Sequence, residues 1–187
     1  MFVNFFSFLA EHFDLPILDW IAENLHTPFL DAVMPAVTAL GNAGILWILW
    51  AVVLLLIPRY RKTGLGMAAA LALGLLVCNL TLKPLMMRTR PFDYQAEFFG
   101  RTIELLIAAP HDYSFPSGHT IASFEAATVL LLNHKKMGAA AMILAALIAF
   151  SRLYLYVHYP TDVLASIVLG AAFGFLGNRL SGKICKK

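Results

Sequence analysis

From Ala43 to Ile57, and again from Met137 to Phe150, the chain carries no polar side chain. Stretches of that kind point to lipid rather than water as the solvent, because a helix apolar on every side has no face to show to water. Three further runs are nearly as apolar: Gly64 to Leu82 broken by Asn79 and Thr81, Ile121 to Leu132 broken by Ser123, Glu125 and Thr128, and Val163 to Leu176 broken by Ser166. Thr27 to Leu40, with Asp31 and Pro35, is the weakest of six expected spans. Fifteen helical residues rise roughly 22 Å against a hydrocarbon core of about 30 Å, so some helices must continue into their flanks. Composition agrees: 60% of residues are hydrophobic and 13% charged, with mean hydropathy +0.74, where soluble domains have about a quarter charged.

The expected fold class is all-α: an integral membrane bundle of six transmembrane helices preceded by an N-terminal interfacial amphipathic helix. Residues 1–187 make one domain, with the interfacial segment at 1–26, the bundle at 27–182 and a long outer loop at 83–116. Phe2, Phe5, Phe6, Phe8, Leu9 and Phe13 supply the apolar side of the interfacial helix. No Lys or Arg precedes Arg59, so the basic start of a signal peptide is missing. Cys78, inside an apolar run, and Cys185, in the basic tail, fall too far apart in this layout to form a disulfide.

Basic residues set the orientation. Arg59, Arg61, Lys62, Lys135, Lys136, Arg179, Lys183, Lys186 and Lys187 all fall on one side of six alternating spans. That side is expected to be cytoplasmic, with both termini on it. The other five cations, Lys83, Arg88, Arg90, Arg101 and Arg152, fall on the outer face against the usual bias. Pairing with the acids of loop 83–116 suits Arg101 and, in part, Arg88. It suits Lys83, Arg90 and Arg152 poorly, because of their neighbours. A net charge of +3 leaves no nucleic-acid footprint, and no obligate protein partner is evident.

Lys83 ends one span and Arg90-Pro91 follows. Pro116-Ser117-Gly118-His119 opens the next. Ser151-Arg152 closes another, and His158 and Asp162 begin the last. This inventory suits a phosphate. A helix N-terminus presents unpaired N–H groups to an anion, and Gly118 admits the ligand close to the backbone. Arg90 and Arg152 offer planar forks and Lys83 a compact charge. Spaced four apart across Pro160, His158 and Asp162 share a helix face, so the carboxylate can orient the imidazole as a nucleophile. His119 suits a general acid. Glu125, inside a span, favours a structural role over tuning the site or lining a lipid groove. A transport pathway along Glu125 and Asn79 would leave the clustered cations unexplained.

Lys83-x6-Arg90-Pro91, Pro116-Ser117-Gly118-His119 and Ser151-Arg152-x5-His158-x3-Asp162 together resemble the type-2 phosphatidic acid phosphatase superfamily, which shares its site with vanadium-dependent haloperoxidases. The resemblance implies a phosphohistidine formed on His158, with Asp162 holding the ring. It implies a phosphate cradle of Lys83, Arg90, Arg152, Ser117 and Gly118, and a proton delivered by His119. No metal and no cofactor are expected. The implied substrate is a lipid phosphate or pyrophosphate among membrane lipids. Undecaprenyl pyrophosphate ranks first, ahead of phosphatidylglycerophosphate or phosphatidic acid. By analogy the location is a bacterial plasma membrane, with the site extracytoplasmic.

Overall fold

The structure is a computed structural model describing residues 2–184; the expectations for Cys185, Lys186 and Lys187 lie outside the described residues. Among the described residues regular structure is helical throughout. Helices α1 (Phe2–Leu9) and α2 (Leu15–Leu25) join through a π-helical turn at Ala10–Asp14 into one N-terminal rod. Next come α3 (Pro28–Ala39), α4 (Ile45–Leu56) and α5 (Arg61–Gly74). A π-helical stretch, Leu75–Leu82, carries α5 into α6 (Lys83–Met86). The short α7 (Pro91–Phe99) precedes an irregular segment, and α8 (Gly118–Asn133), α9 (Lys135–Tyr154) and α10 (Pro160–Ile184) complete the chain.

Local chemistry accounts for the breaks. Thr27 caps α3 by accepting the Leu30 N–H at 3.2 Å, and Pro28 takes the first helical position, where a missing N–H costs nothing. After α3, Ala43 and Gly44 adopt φ of +50° and +66°, a left-handed kink that ends one helix and starts the next. At the centre, α8 is buried among α5, α9 and α10. Trp47, Met67, Ala126, Ala127, Leu130, Ala145 and Ile148 form the main core. A Cβ added to Gly177 would stand 2.5 Å from the Gly66 carbonyl oxygen, so α5 and α10 touch backbone to backbone. Small residues permit that approach, which drives association where lipid offers helices no hydrophobic gain.

The bundle has two distinct ends. At one, Thr63 and His134 share a 3.1 Å hydrogen bond, Tyr60 packs edge-on to His134, and Gly182 lies near Lys62. The expected basic segments therefore gather there. At the other end lie Lys83, Arg90, His119, Arg152 and His158.

The first two expected spans do not form separate antiparallel crossings. Helices α3 and α4 meet at a bend of 41°, so α4 continues in the sense of α3 instead of returning antiparallel to it. Tyr154 donates to Asp31 at 2.5 Å and Arg152 to Thr38 at 2.6 Å, which sets α3 beside the last turns of α9, at the site end. Twelve residues rise only about 18 Å, so α3 supplies the first part of one bent traverse and α4 the rest. The bundle is thus built from α3–α4, α5–α6, α8, α9 and α10. Helical stretches Pro58–Phe99, Lys135–Tyr154 and Pro160–Lys183 are each long and apolar enough to cross a membrane, and the bent pair makes a fourth. Central α8, at 16 residues, is shorter.

Contacts set Phe6 at the site end, against Phe115, and Gly182 at the basic end, near Lys62. The N-terminal helix packs on the site end. Tyr94 donates to Glu11 at 2.7 Å, Arg88 to Asp14 at 2.6 Å, and the rings of Phe6 and Phe115 lie 5.6 Å apart. The expected loop 83–116 is also corrected. It is helical in α6 and α7, where Pro91 starts a helix at the one place proline favours, and 87–90 and 100–117 are irregular.

Candidate active site

Two left-handed residues bring the site end together. Met87, at φ +45°, reverses the chain after α6 and turns Arg88 and Arg90 back toward the bundle. Tyr156, at φ +57°, does the same after α9 and delivers Val157 and His158. Such backbone costs roughly 1–3 kcal/mol and persists only where its surroundings fix it. The Tyr156 hydroxyl donates to Asp19 at 2.8 Å and accepts from Gln95 at 2.9 Å, which ties the turn to the N-terminal rod and to α7.

Lys83, Arg90, Gly118, His119, Arg152 and His158 line one cavity of about 690 Å³. Arg90 is fixed on three sides: Nη1 donates to the Val157 carbonyl at 2.6 Å, Nε to the Asp112 carbonyl at 2.7 Å, and Nη2 to Asp112 Oδ1 at 2.5 Å. Its Nη1 is also 3.4 Å from His158 Nε2. Arg152 donates to Thr38, and its Nε has no partner among the described residues. His119 Nε2 lies 3.0 Å from Asn42 Oδ1, and a Cβ added to Gly41 would stand 2.7 Å from the His119 ring, so that glycine makes room for it.

His158 is buried, with Nδ1 3.5 Å from Asp162 Oδ2 and Nε2 on the cavity side. Burial, then the nearby Arg90, Arg152 and Lys83 charges, push its pKa well below the ordinary 6.5. Both effects disfavour an imidazolium, so the ring is neutral, with a lone pair on one of its two nitrogens. Asp162 lies behind the ring, fully buried, where it accepts from Arg88 Nη1 at 2.5 Å, from Tyr159 N–H at 3.0 Å and from the Ser114 hydroxyl.

Ser117 departs from its expected place. It is buried off the cavity wall, with its N–H given to Ser166 Oγ at 2.8 Å and its hydroxyl accepting from Thr120 at 3.0 Å. Those contacts brace the start of α8. The expected pairings inside the outer loop are corrected too. Arg88 joins Asp14 and Asp162, stacked on the Tyr159 ring at 3.9 Å, and Arg101 pairs with Asp19. Lys83 and Arg90, expected to avoid loop acids, share Asp112. Glu125 hydrogen-bonds neither Asn79 nor a hydroxyl. It lines the cavity, its Oε1 unpartnered, and a Cβ at Gly74 would stand 2.0 Å from that atom. Sequence reading missed Asp14, Asn42 and Ser114 and undervalued Arg88 and Asp112. The one available signal was that Asp112 and Ser114 directly precede the Pro116 motif.

The family model of the PAP2 superfamily matches residues 63–184, which carry every cavity cation and both histidines. The chain belongs to this superfamily. Its apolar helices and the phosphatase and diphosphatase names of its relatives make it a membrane-embedded hydrolase of the phosphatase class. Among relatives, it is 37% identical over 131 residues to an undecaprenyl-diphosphatase of Sulfolobus acidocaldarius, an alignment covering 70% of this chain and 61% of that protein. It is 32% identical over 156 residues to the undecaprenyl-diphosphatase BcrC of Bacillus subtilis, covering 83% and 77%. A crystal structure of a PAP2-type phosphatidylglycerolphosphate phosphatase from Bacillus subtilis superposes with TM-score 0.69 at 28% identity, over 98% of this chain and 95% of that one.

Proposed function

We propose that this PAP2 protein hydrolyses a lipid diphosphate, undecaprenyl pyrophosphate first among candidates, to the lipid monophosphate and orthophosphate through a phosphohistidine. One observation carries the reading. The cavity that collects two histidines and three cations continues past Ile48, Leu71 and Leu75, so a charged head and an apolar stem fit one continuous space. His158 Nε2 attacks the terminal phosphorus as the bond to the bridging oxygen breaks, and His119 gives that oxygen a proton. Water, deprotonated by His119, then attacks the phosphohistidine and releases orthophosphate. Lys83, Arg90, Arg152 and the Gly118 N–H neutralise charge on the transferred group. Asp162, itself held by Arg88 and Ser114, keeps the ring oriented.

The relatives' names support the diphosphate reading. Seven exposed cations at the far end support an extracytoplasmic site in a plasma membrane. Phe5, Phe8, Phe13 and Trp20, each at least 44% exposed on the N-terminal rod, suit a helix lying at the lipid headgroups on the site side. A second reading, a phosphatidylglycerophosphate or phosphatidic acid phosphatase, is favoured by Glu125 and Asn79. Glu125 lines the cavity about 9 Å along α8 from His119, where a prenyl chain is hydrocarbon and a glycerolipid carries ester oxygens.

The test is phosphate release by the purified protein in detergent from polyprenyl pyrophosphate, phosphatidylglycerophosphate and phosphatidic acid at equal surface concentration. Highest kcat/KM on the prenyl diphosphate is expected. Preference for a glycerolipid would establish the second reading, and no release from any of them would end both.

A further inference from the structure

Asp112 does what a bound phosphoryl group is expected to do. Its Oδ2 accepts from Lys83 Nζ and its Oδ1 from Arg90 Nη2, each at 2.5 Å, so one anion bridges two of the three cavity cations. Placing one oxygen on each of two cations is also the grip proposed for the transferred group. Burial raises its pKa, but bonds and charge from Lys83 and Arg90 outweigh that and hold the carboxyl well below the usual range, so Asp112 is an anion at neutral pH. A carboxylate and a phosphate cannot share this position without strong like-charge repulsion.

The partners are unequal in exposure. The Asp112 side chain is 57% exposed, whereas those of Lys83 and Arg90 are 12% and 3% exposed. Asp112 belongs to irregular segment 100–117, with no helix to hold its backbone. Arg90 keeps its bond to the Val157 carbonyl if the carboxylate swings out. The cations are the buried pair and the acid, exposed and attached on one side, is the exchangeable member. Arg152 makes the contrast: it has no acidic partner, and so it stays available to phosphate throughout.

We propose that Asp112 is a built-in exchange anion: substrate phosphate displaces it from Lys83 and Arg90, and its return after hydrolysis expels orthophosphate. This rests on the phosphatase reading above. A cradle of three cations that held its product tightly would be limited by release, and a tethered competitor shortens that step without forming or breaking a covalent bond.

Orthophosphate and vanadate inhibition, measured on wild type, D112N, D112S and D112E, tests it. D112N and D112S should bind both anions about tenfold more tightly, with kcat and KM falling together. D112E, which keeps the charge, should stay near wild type. A thermal-shift titration with orthophosphate gives the same affinity ranking without lipid turnover and confirms that each variant is folded. Unchanged or weaker anion binding in D112N and D112S would overturn the proposal and leave Asp112 as a brace for Arg90. Tighter anion binding in variants of a protein that hydrolyses no lipid phosphate would uphold the exchange and end the phosphatase reading instead.

Discussion

The two ends of the bundle use the same residue types for opposite purposes. At the far end Arg59, Arg61, Lys62, Lys135, Lys136, Arg179 and Lys183 are exposed, and none forms an ion pair among the described residues. At the site end Arg88, Arg90 and Arg152 are buried, and each is aimed by named acceptors. Exposed charges in water act through their number and sidedness. Buried ones act through geometry, because a misplaced charge in a low dielectric is costly and a well-placed one is strong. The lesson is that the same residue types suit two tasks here: exposed in number at one end, as the proposed orientation needs, and fixed by acceptors at the other, as the proposed chemistry needs.

The largest expected effect tests whether the site end is chemical at all. His158→Ala should lower phosphate release at least about 10⁴-fold with the helical circular dichroism unchanged, as for loss of a nucleophile elsewhere; a purified variant with substantial activity removes His158 from that role. Next, Arg152→Lys should cost roughly 10²-fold in kcat/KM, because an ammonium cannot replace a planar fork whose Nη1 is committed to Thr38. A near-wild-type value would make this cation no more specific than those of the far end.

Arg88→Met probes burial instead of chemistry. It strands Asp14 and Asp162 without their shared cation, so the thermal midpoint should fall by an amount equivalent to about 3–5 kcal/mol, and activity should fall because Asp162 loses its anchor. No destabilisation would mean the triad contributes little to holding the N-terminal rod. The pH profile should be flatter than a free imidazole gives. In the proposed mechanism the unprotonated ring is the nucleophile, and its pKa lies well below 6.5, so the acid limb of kcat/KM should begin below pH 6.5. The same shift has a stability sign: as pH falls below 6.5 the unfolded chain gains a proton at this histidine and the folded chain does not, so stability declines. An acid limb centred at or above 6.5 argues for a charged His158. The smallest effect belongs to the far end, where Lys135→Gln with Lys136→Gln should leave kcat/KM unchanged within about twofold and stability within about 0.5 kcal/mol.

Much of the site was legible because its members sit in short motifs, each pairing a recognisable chemistry with a recognisable helix end. Pro116 before Gly118-His119 marks a helix start, and His158 and Asp162 are four apart across a helix-starting proline. The missed partners come from far away in the chain. Asp14 meets Arg88 from 74 residues off and Thr161 from 147, and nothing in FDLPILD announces it. Glu125 was visible as a carboxylate in a span, but its place on the cavity wall depends on Gly74 opposite.

By itself the sequence determined that the chain is helical, lipid-embedded and basic at one end, and that its phosphate-type residues occur at helix ends. Those properties follow from local patterns of apolarity and charge, which act whatever the rest of the chain does. It took the packed helices to show that Thr27–Leu40 and Ala43–Ile57 make one bent pair, that the N-terminal rod packs on Arg88 and Thr161 beside the site, and that Asp112 rests on Lys83 and Arg90. Each of those depends on the angle or distance between segments that meet only after the helices have packed.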